Sequence, residues 1–170
     1  MNDETRLAAI DAGPTAIFAA IAQSLHDRPG YDLFTILAPN PSGDRLDRLF
    51  STNEDQYPLG PADQVNDDLW FRRLFQIRLP IVANTMDEIG NWLPDYAIFI
   101  EQNYFSLLNL PVVFAGQTIG LINMMAGPHH FDAAALSEID AAIPLAALAI
   151  LGATCRLPSI NLQALTDPIG

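Results

Sequence analysis

With 170 residues, 50% of them hydrophobic, the chain has ample material for one buried core and is short for two ordinary domains. Its net charge of −12 sets 20 acids against 8 bases, and all of the bases are Arg, so Schiff-base and lysine-nucleophile chemistry are excluded. The same acidity repels nucleic-acid phosphates and anionic lipid surfaces, which are bound mainly through basic side chains, so neither nucleic acid nor membrane is an expected partner.

The opening MNDETRLAAIDAG is acidic where a signal peptide is basic and lacks a long apolar core, so secretion is not encoded there. From Asp3 to His26, Leu7, Ile10, Ile17, Ile21 and Leu25 recur at helical spacing, with Gly13-Pro14 as a break or kink in an amphipathic leading helix. After the Arg28-Pro29-Gly30 turn, YDLFTILA and RLDRLFST read as two strands of a hairpin joined by the turn formers from Pro39 to Asp44. The acidic stretch from Asn53 to Asp68, interrupted by Pro58, Gly60 and Pro61, reads as a loop. It leads into a short helix carrying Leu69, Trp70, Leu74 and Ile77.

LPIVAN is a short apolar strand, and Thr85 stands three residues before Glu88, the spacing of a capping box that starts a helix ended by Pro94. YFSLLNLPVVF and QTIGLINMM, joined by Ala115-Gly116, predict a second hairpin. Asp132 is placed to cap a terminal helix through Leu136, Ile139, Ile143, Ala146 and Ile150, with Phe131 stapled onto Leu136. The uncharged run from Ala141 to Cys155 is shorter than the roughly 20 residues of a bilayer span and contains Pro144, so it reads as buried helix. Cys155 is the only cysteine, which rules out an internal disulfide, suits a reducing cytoplasm and looks structural at the end of that helix. Residues 1–157 form a single domain in this reading and 158–170 a tail.

The order helix, hairpin, variable middle, hairpin, terminal helix resembles that of the GAF family. The most specific residues are Leu110-Pro111-Val112, Gly116 and Ile119-Gly120-Leu121, which match in order and spacing the apolar-Pro-apolar step, one-glycine turn and apolar-Gly-apolar start of the family's second hairpin. The resemblance implies an α+β domain, with a central antiparallel sheet, first and last helices together on one face, and a ligand pocket on the other roofed by the variable middle. It also suggests a homodimer through the terminal helices. The family's cyclic-nucleotide motif requires Lys and cannot exist here; a covalent bilin needs a Cys near the pocket, and so does free-methionine sulfoxide reduction, which the strand from Tyr104 to Val113 cannot supply. No cofactor is expected.

Pairing Phe114 with Gln117 and letting side chains alternate strictly sets Asn123 opposite Leu108, on the face of Tyr104 and Ser106. Tyr104, Ser106 and Asn123 then form a polar floor, unless they only satisfy nearby backbone, and Trp70, Tyr57 and Trp92 are candidates for the roof. Asn109 falls on the opposite face, where it would fix backbone near a bulge. His129-His130 reads as a solvated loop pair and Asp63, Asp67 and Asp68 as a solvated acidic face, since neither has metal-site spacing. Arg72, Arg73 and Arg78 either hold a ligand carboxylate or pair with local acids.

The expected function is a non-enzymatic sensor module that binds a small organic ligand and, with no output domain attached, acts through a partner protein. Two alternatives are an enzyme using Glu101, Tyr104 or Ser106 for acid-base work, and a structural dimerisation module whose pocket is filled by its own side chains.

Overall fold

The computed structural model describes residues 1–155, so the tail expected over 158–170 lies outside the described residues. Two helices lead: α1 (Asp3–Ala12) and α2 (Pro14–Asp27), separated at Gly13, whose φ of 98° ends the first while Pro14 opens the second. The strands are β1 (Leu33–Pro39), β2 (Arg45–Ser51), β3 (Gly60–Gln64), β4 (Ile81–Ala83), β5 (Ser106–Phe114) and β6 (Gln117–Ala126). They form one antiparallel sheet in the order β3-β2-β1-β6-β5-β4. Both expected hairpins are present. The stretch expected to be pure loop also supplies β3, an edge strand where Pro61 costs no ladder hydrogen bond.

One face of the sheet is covered by α2, α6 (Ala133–Asp140) and α7 (Ile143–Thr154). Here Ile17, Phe18, Ile21 and Leu25 meet Phe34, Leu108, Ile122 and Ile150 in the main core. The terminal helix, expected as one piece, breaks at Ala141 and Ala142 because Pro144 belongs to the first turn of a new helix, and the two halves meet at 46°. Asp132 caps α6 through the Ala135 amide at 2.8 Å. No single helix among the described residues is long and apolar enough to cross a membrane.

The other face is roofed by the middle of the chain. A short helix α3 (Leu69–Phe71), capped by Asp68, runs directly into a π-helical turn (Arg72–Ile77) that Arg78 ends in the left-handed region. Thr118 on β6 donates to the Leu74 carbonyl of that turn at 2.8 Å, tying roof to sheet. Two further short helices, α4 (Met86–Gly90) and α5 (Ala97–Glu101), complete the cover, the second of them unexpected. Thr85 accepts from the Glu88 amide as expected of a capping box, but Glu88 reaches back one residue further, to the Asn84 amide at 2.6 Å.

Candidate functional site

A cavity of about 460 Å³ lies between the sheet and this roof. Its floor comes from alternate residues of the three central strands: Leu33, Thr35 and Leu37 on β1, Leu107 and Asn109 on β5, Asn123 and Met125 on β6. Trp70 closes it from α3, while Trp92, Leu93 and Phe99 close it from the α4–α5 segment. A second concavity of about 390 Å³ lies beside α2 and α6, but its Arg28 and Glu138 bind each other at 2.6 Å, which leaves neither charge aimed at a ligand.

A line of polar side chains crosses the floor. Trp70 Nε1 donates to Asn109 Oδ1 at 2.9 Å, Asn109 Nδ2 to Asn123 Oδ1 at 2.8 Å, and Asn123 Nδ2 to Thr35 Oγ1 at 3.4 Å. This line exists because of a bulge. Phe114 does pair with Gln117 and Val113 with Thr118, but the register then slips so that Val112 faces Gly120 and Asn109 faces Asn123. The extra residue, Ile119, packs with Gly120 toward the helices, and every later side chain of β6 changes face relative to strict alternation. Each amide accepts one and donates one hydrogen bond within the line, about half of its capacity.

At one end stands Arg48, the only basic residue on the cavity wall among the described residues. Its Nη1 donates to the Pro58 carbonyl at 3.0 Å, and its guanidinium lies 5.4 Å over the Tyr57 ring. Burial lowers the hold of this guanidinium on its proton, which Asp63 and Tyr57 only partly offset. Asp63 keeps an opening to solvent, yet the protein packed around it pushes its carboxyl above the usual range, with Arg48 pulling the other way. Tyr57, its hydroxyl bonded to Gln102, is likewise raised, chiefly by burial.

No protein-family model matches the sequence, and no curated protein matches it either. Solved structures do match in shape. The GAF domain/HD domain protein from Geobacter sulfurreducens superposes with a TM-score of 0.66 at 13% identity, over 91% of this chain and 97% of that one. This is the GAF fold. The GAF domain of a two-component sensor histidine kinase from Bacillus halodurans gives 0.64 at 14% identity, over 79% of this chain and 90% of the other. The type II free methionine-R-sulfoxide reductase from Thermoplasma acidophilum gives 0.61 at 17% identity, over 92% and 100%.

Set on this GAF scaffold, the residues singled out in the sequence divide. Asn123, Trp70 and Tyr57 line the cavity, as does Trp92. Ser106 does not share their face: Leu108 and Leu110, in step with it, pack under the helices, and its hydroxyl donates to the Gly127 carbonyl. Tyr104 is buried beside the cavity against Leu33, Ile89 and Leu107, where desolvation raises its hydroxyl and the Asp32 carboxylate adds to the shift. The expected floor of Tyr104, Ser106 and Asn123 is thus corrected to Asn109, Asn123 and Thr35, and Asn109, set aside as a backbone-fixing residue, is its hub.

Of the residues considered for acid-base work, Glu101 is exposed on α5 and is not on the cavity wall. His130 is half-buried with Nε2 3.0 Å from the Gly30 carbonyl, and only His129 is exposed as expected. Arg72 holds Asp67 through Nε and Nη2 at 2.7 and 2.6 Å, Arg78 donates through Nη1 to the Gly116 carbonyl, and neither lines the cavity. Cys155 is exposed beyond α7, not packed in the core as a structural cysteine would be.

Proposed function

We propose that the cavity binds a small organic molecule and that the domain works as a non-enzymatic regulatory module in a reducing cytoplasm, passing its state to a partner protein. The observation that carries this reading is the Trp70-Asn109-Asn123-Thr35 line on an otherwise apolar floor. A core sealed for structure alone would have no use for half-satisfied amides facing open space, whereas a recognition pocket sets a few polar groups in apolar walls. The sensor histidine kinase among the proteins of like fold agrees with this assignment. A thermal-shift screen against metabolites tests it, since a ligand that binds only the folded protein raises the melting temperature. A screen in which every compound leaves wild type unmoved removes the proposal.

Thiol chemistry has no place in this reading, because the only cysteine is exposed and away from the cavity wall. Replacing Cys155 by Ser is expected to leave melting temperature and ligand affinity within error, and a clear loss of either would return the thiol to the mechanism.

The same reading includes a homodimer through the terminal helices. Leu7 and Ile10 on α1 are 64% and 40% exposed, and Leu148 on α7 is 46% exposed, while Ile17, Ile21 and Leu25 of the same leading pattern are buried. A two-fold axis through this face would cover the exposed residues of both copies with one self-complementary contact. Light scattering at micromolar concentration is expected to return twice 18.6 kDa, and Leu7→Asp to shift the mass toward one chain. A wild-type mass of one chain would end the dimer proposal.

A further inference from the structure

Among the described residues, the Nε of Arg48 is the buried side-chain nitrogen or oxygen left with no hydrogen-bond partner. It lies on the wall of the cavity, on β2, beside Tyr57 and Asp63. The one hydrogen bond Arg48 makes uses Nη1, on the Pro58 carbonyl. Among the described residues the edge of the guanidinium formed by Nε and Nη2 therefore has no partner, and Arg48 takes part in none of the ion pairs they form. An unpaired donor edge on a permanent, partly desolvated cation is costly, and proteins keep such groups bonded unless something else completes them.

The complement of that edge is visible elsewhere in the molecule. Arg72 uses the same two atoms, Nε and Nη2, to grip both carboxylate oxygens of Asp67 at 2.7 and 2.6 Å. On the premise that the cavity is a ligand site, we infer that Arg48 anchors the carboxylate of a small organic monoanion whose apolar body lies on Leu107 and Met125 beneath Trp92 and Phe99. The carboxylate meets Nη2 from the cavity, and a small rotation of the side chain brings the enclosed Nε onto its second oxygen. At the other end of the guest, Asn109 and Asn123 offer their open donors and acceptors to a polar substituent.

Charge selects the class. Asp63, Asp68 and Asp95 also line the cavity, so each negative charge a guest carries adds repulsion, and a dianionic phosphate is disfavoured relative to a monoanion that needs only the one donor edge. A cation would be drawn to those carboxylates but brings no acceptor to the buried Nε of Arg48. A neutral guest would leave the donor edge as it is.

The test compares phenylacetate, indole-3-acetate and 4-methylpentanoate with their three carboxamides and with phenyl phosphate, by calorimetry on the purified full chain at low salt. At least one acid is expected to bind at least tenfold tighter than its own amide, and phenyl phosphate more weakly than that acid. Arg48→Met, which keeps most of the side-chain length, is expected to abolish the acid's advantage while leaving the amide's affinity in place. Arg48→Lys should restore part of it, since a point charge lacks the fork. Asp63→Asn, removing a like charge, should tighten the acid several-fold. The unliganded melting temperature of each variant reports that it is folded. Amides that bind as well as acids, or an acid preference that survives in folded Arg48→Met, would overturn the carboxylate inference and leave the cavity as a ligand site. Phenyl phosphate binding more tightly than every acid would replace a carboxylate by a phosphate. Silence from all seven compounds would count against both the inference and the small-molecule reading beneath it.

Discussion

Gly120→Ala is expected to destabilise the domain by about 1–3 kcal/mol, a fall of roughly 2–4 °C in melting temperature for each kcal/mol at this chain length. A Cβ built on Gly120 would stand 2.6 Å from the Leu37 carbonyl oxygen and 2.7 Å from Ile150 Cδ1. Neither is a contact that real side chains make. The second obstacle is the tip of a side chain and can give way; the first is backbone in the middle of the sheet and cannot, because β1 is held to β6 on one side and to β2 on the other. Adding Ile150→Val to the variant should therefore recover only part of the loss. A full recovery would show that the helix contact sets the cost, and a neutral Gly120→Ala would remove the packing argument altogether. The glycine also sits beside the bulge at Val112 and Val113, so strain there threatens the register that puts Asn123 opposite Asn109.

That bulge is where legibility from sequence ended. The hairpins, the capped helix at Asp132 and the sheet with helices on one face follow from local signals: alternation, turn residues, a capping aspartate and helical spacing. Each reports on a few neighbouring residues. The face on which Asn109 and Asn123 lie depends on one extra residue, Ile119, accommodated between the adjacent pairs Val113–Thr118 and Val112–Gly120, and strict alternation gives the wrong answer for every position of β6 beyond it. The two consecutive helix-facing residues Ile119 and Gly120 were a weak signal of it, since a glycine inside a strand often marks a bulge. Arg48 escaped for another reason. On β2 it alternates with Asp47 and Leu49 like any surface arginine, and only the approach of Tyr57, Pro58 and Asp63 along the chain after that strand half-buries it. Trp70 and Tyr57 were legible because large aromatic residues in a loop-rich segment have few places to go other than a roof.

The second large effect is expected at Asn123, and Asn109 supplies its control. Asn123→Leu keeps side-chain size roughly constant and deletes the middle of the polar line, leaving Asn109 Nδ2 without its acceptor and Thr35 Oγ1 without its donor. If Asn123 touches the ligand, affinity for whatever compound the screen identifies should fall by about 1–3 kcal/mol, roughly five- to 150-fold, with the fold retained. Stability should fall by less, because the cavity gives water access to the two groups left open. Asn109→Leu differs in kind. It strands Asn123 Oδ1 and also Trp70 Nε1, so the roof loses its tie to the floor, and both stability and affinity should drop. The double variant distinguishes a line that acts as a unit from two independent contacts: residues in one hydrogen-bonded network give a combined loss well short of the sum. Calorimetric affinities read beside melting temperatures decide the outcome. A large fall in melting temperature for Asn123→Leu with affinity unchanged would assign that residue to the architecture of the sheet and take the polar line out of ligand recognition.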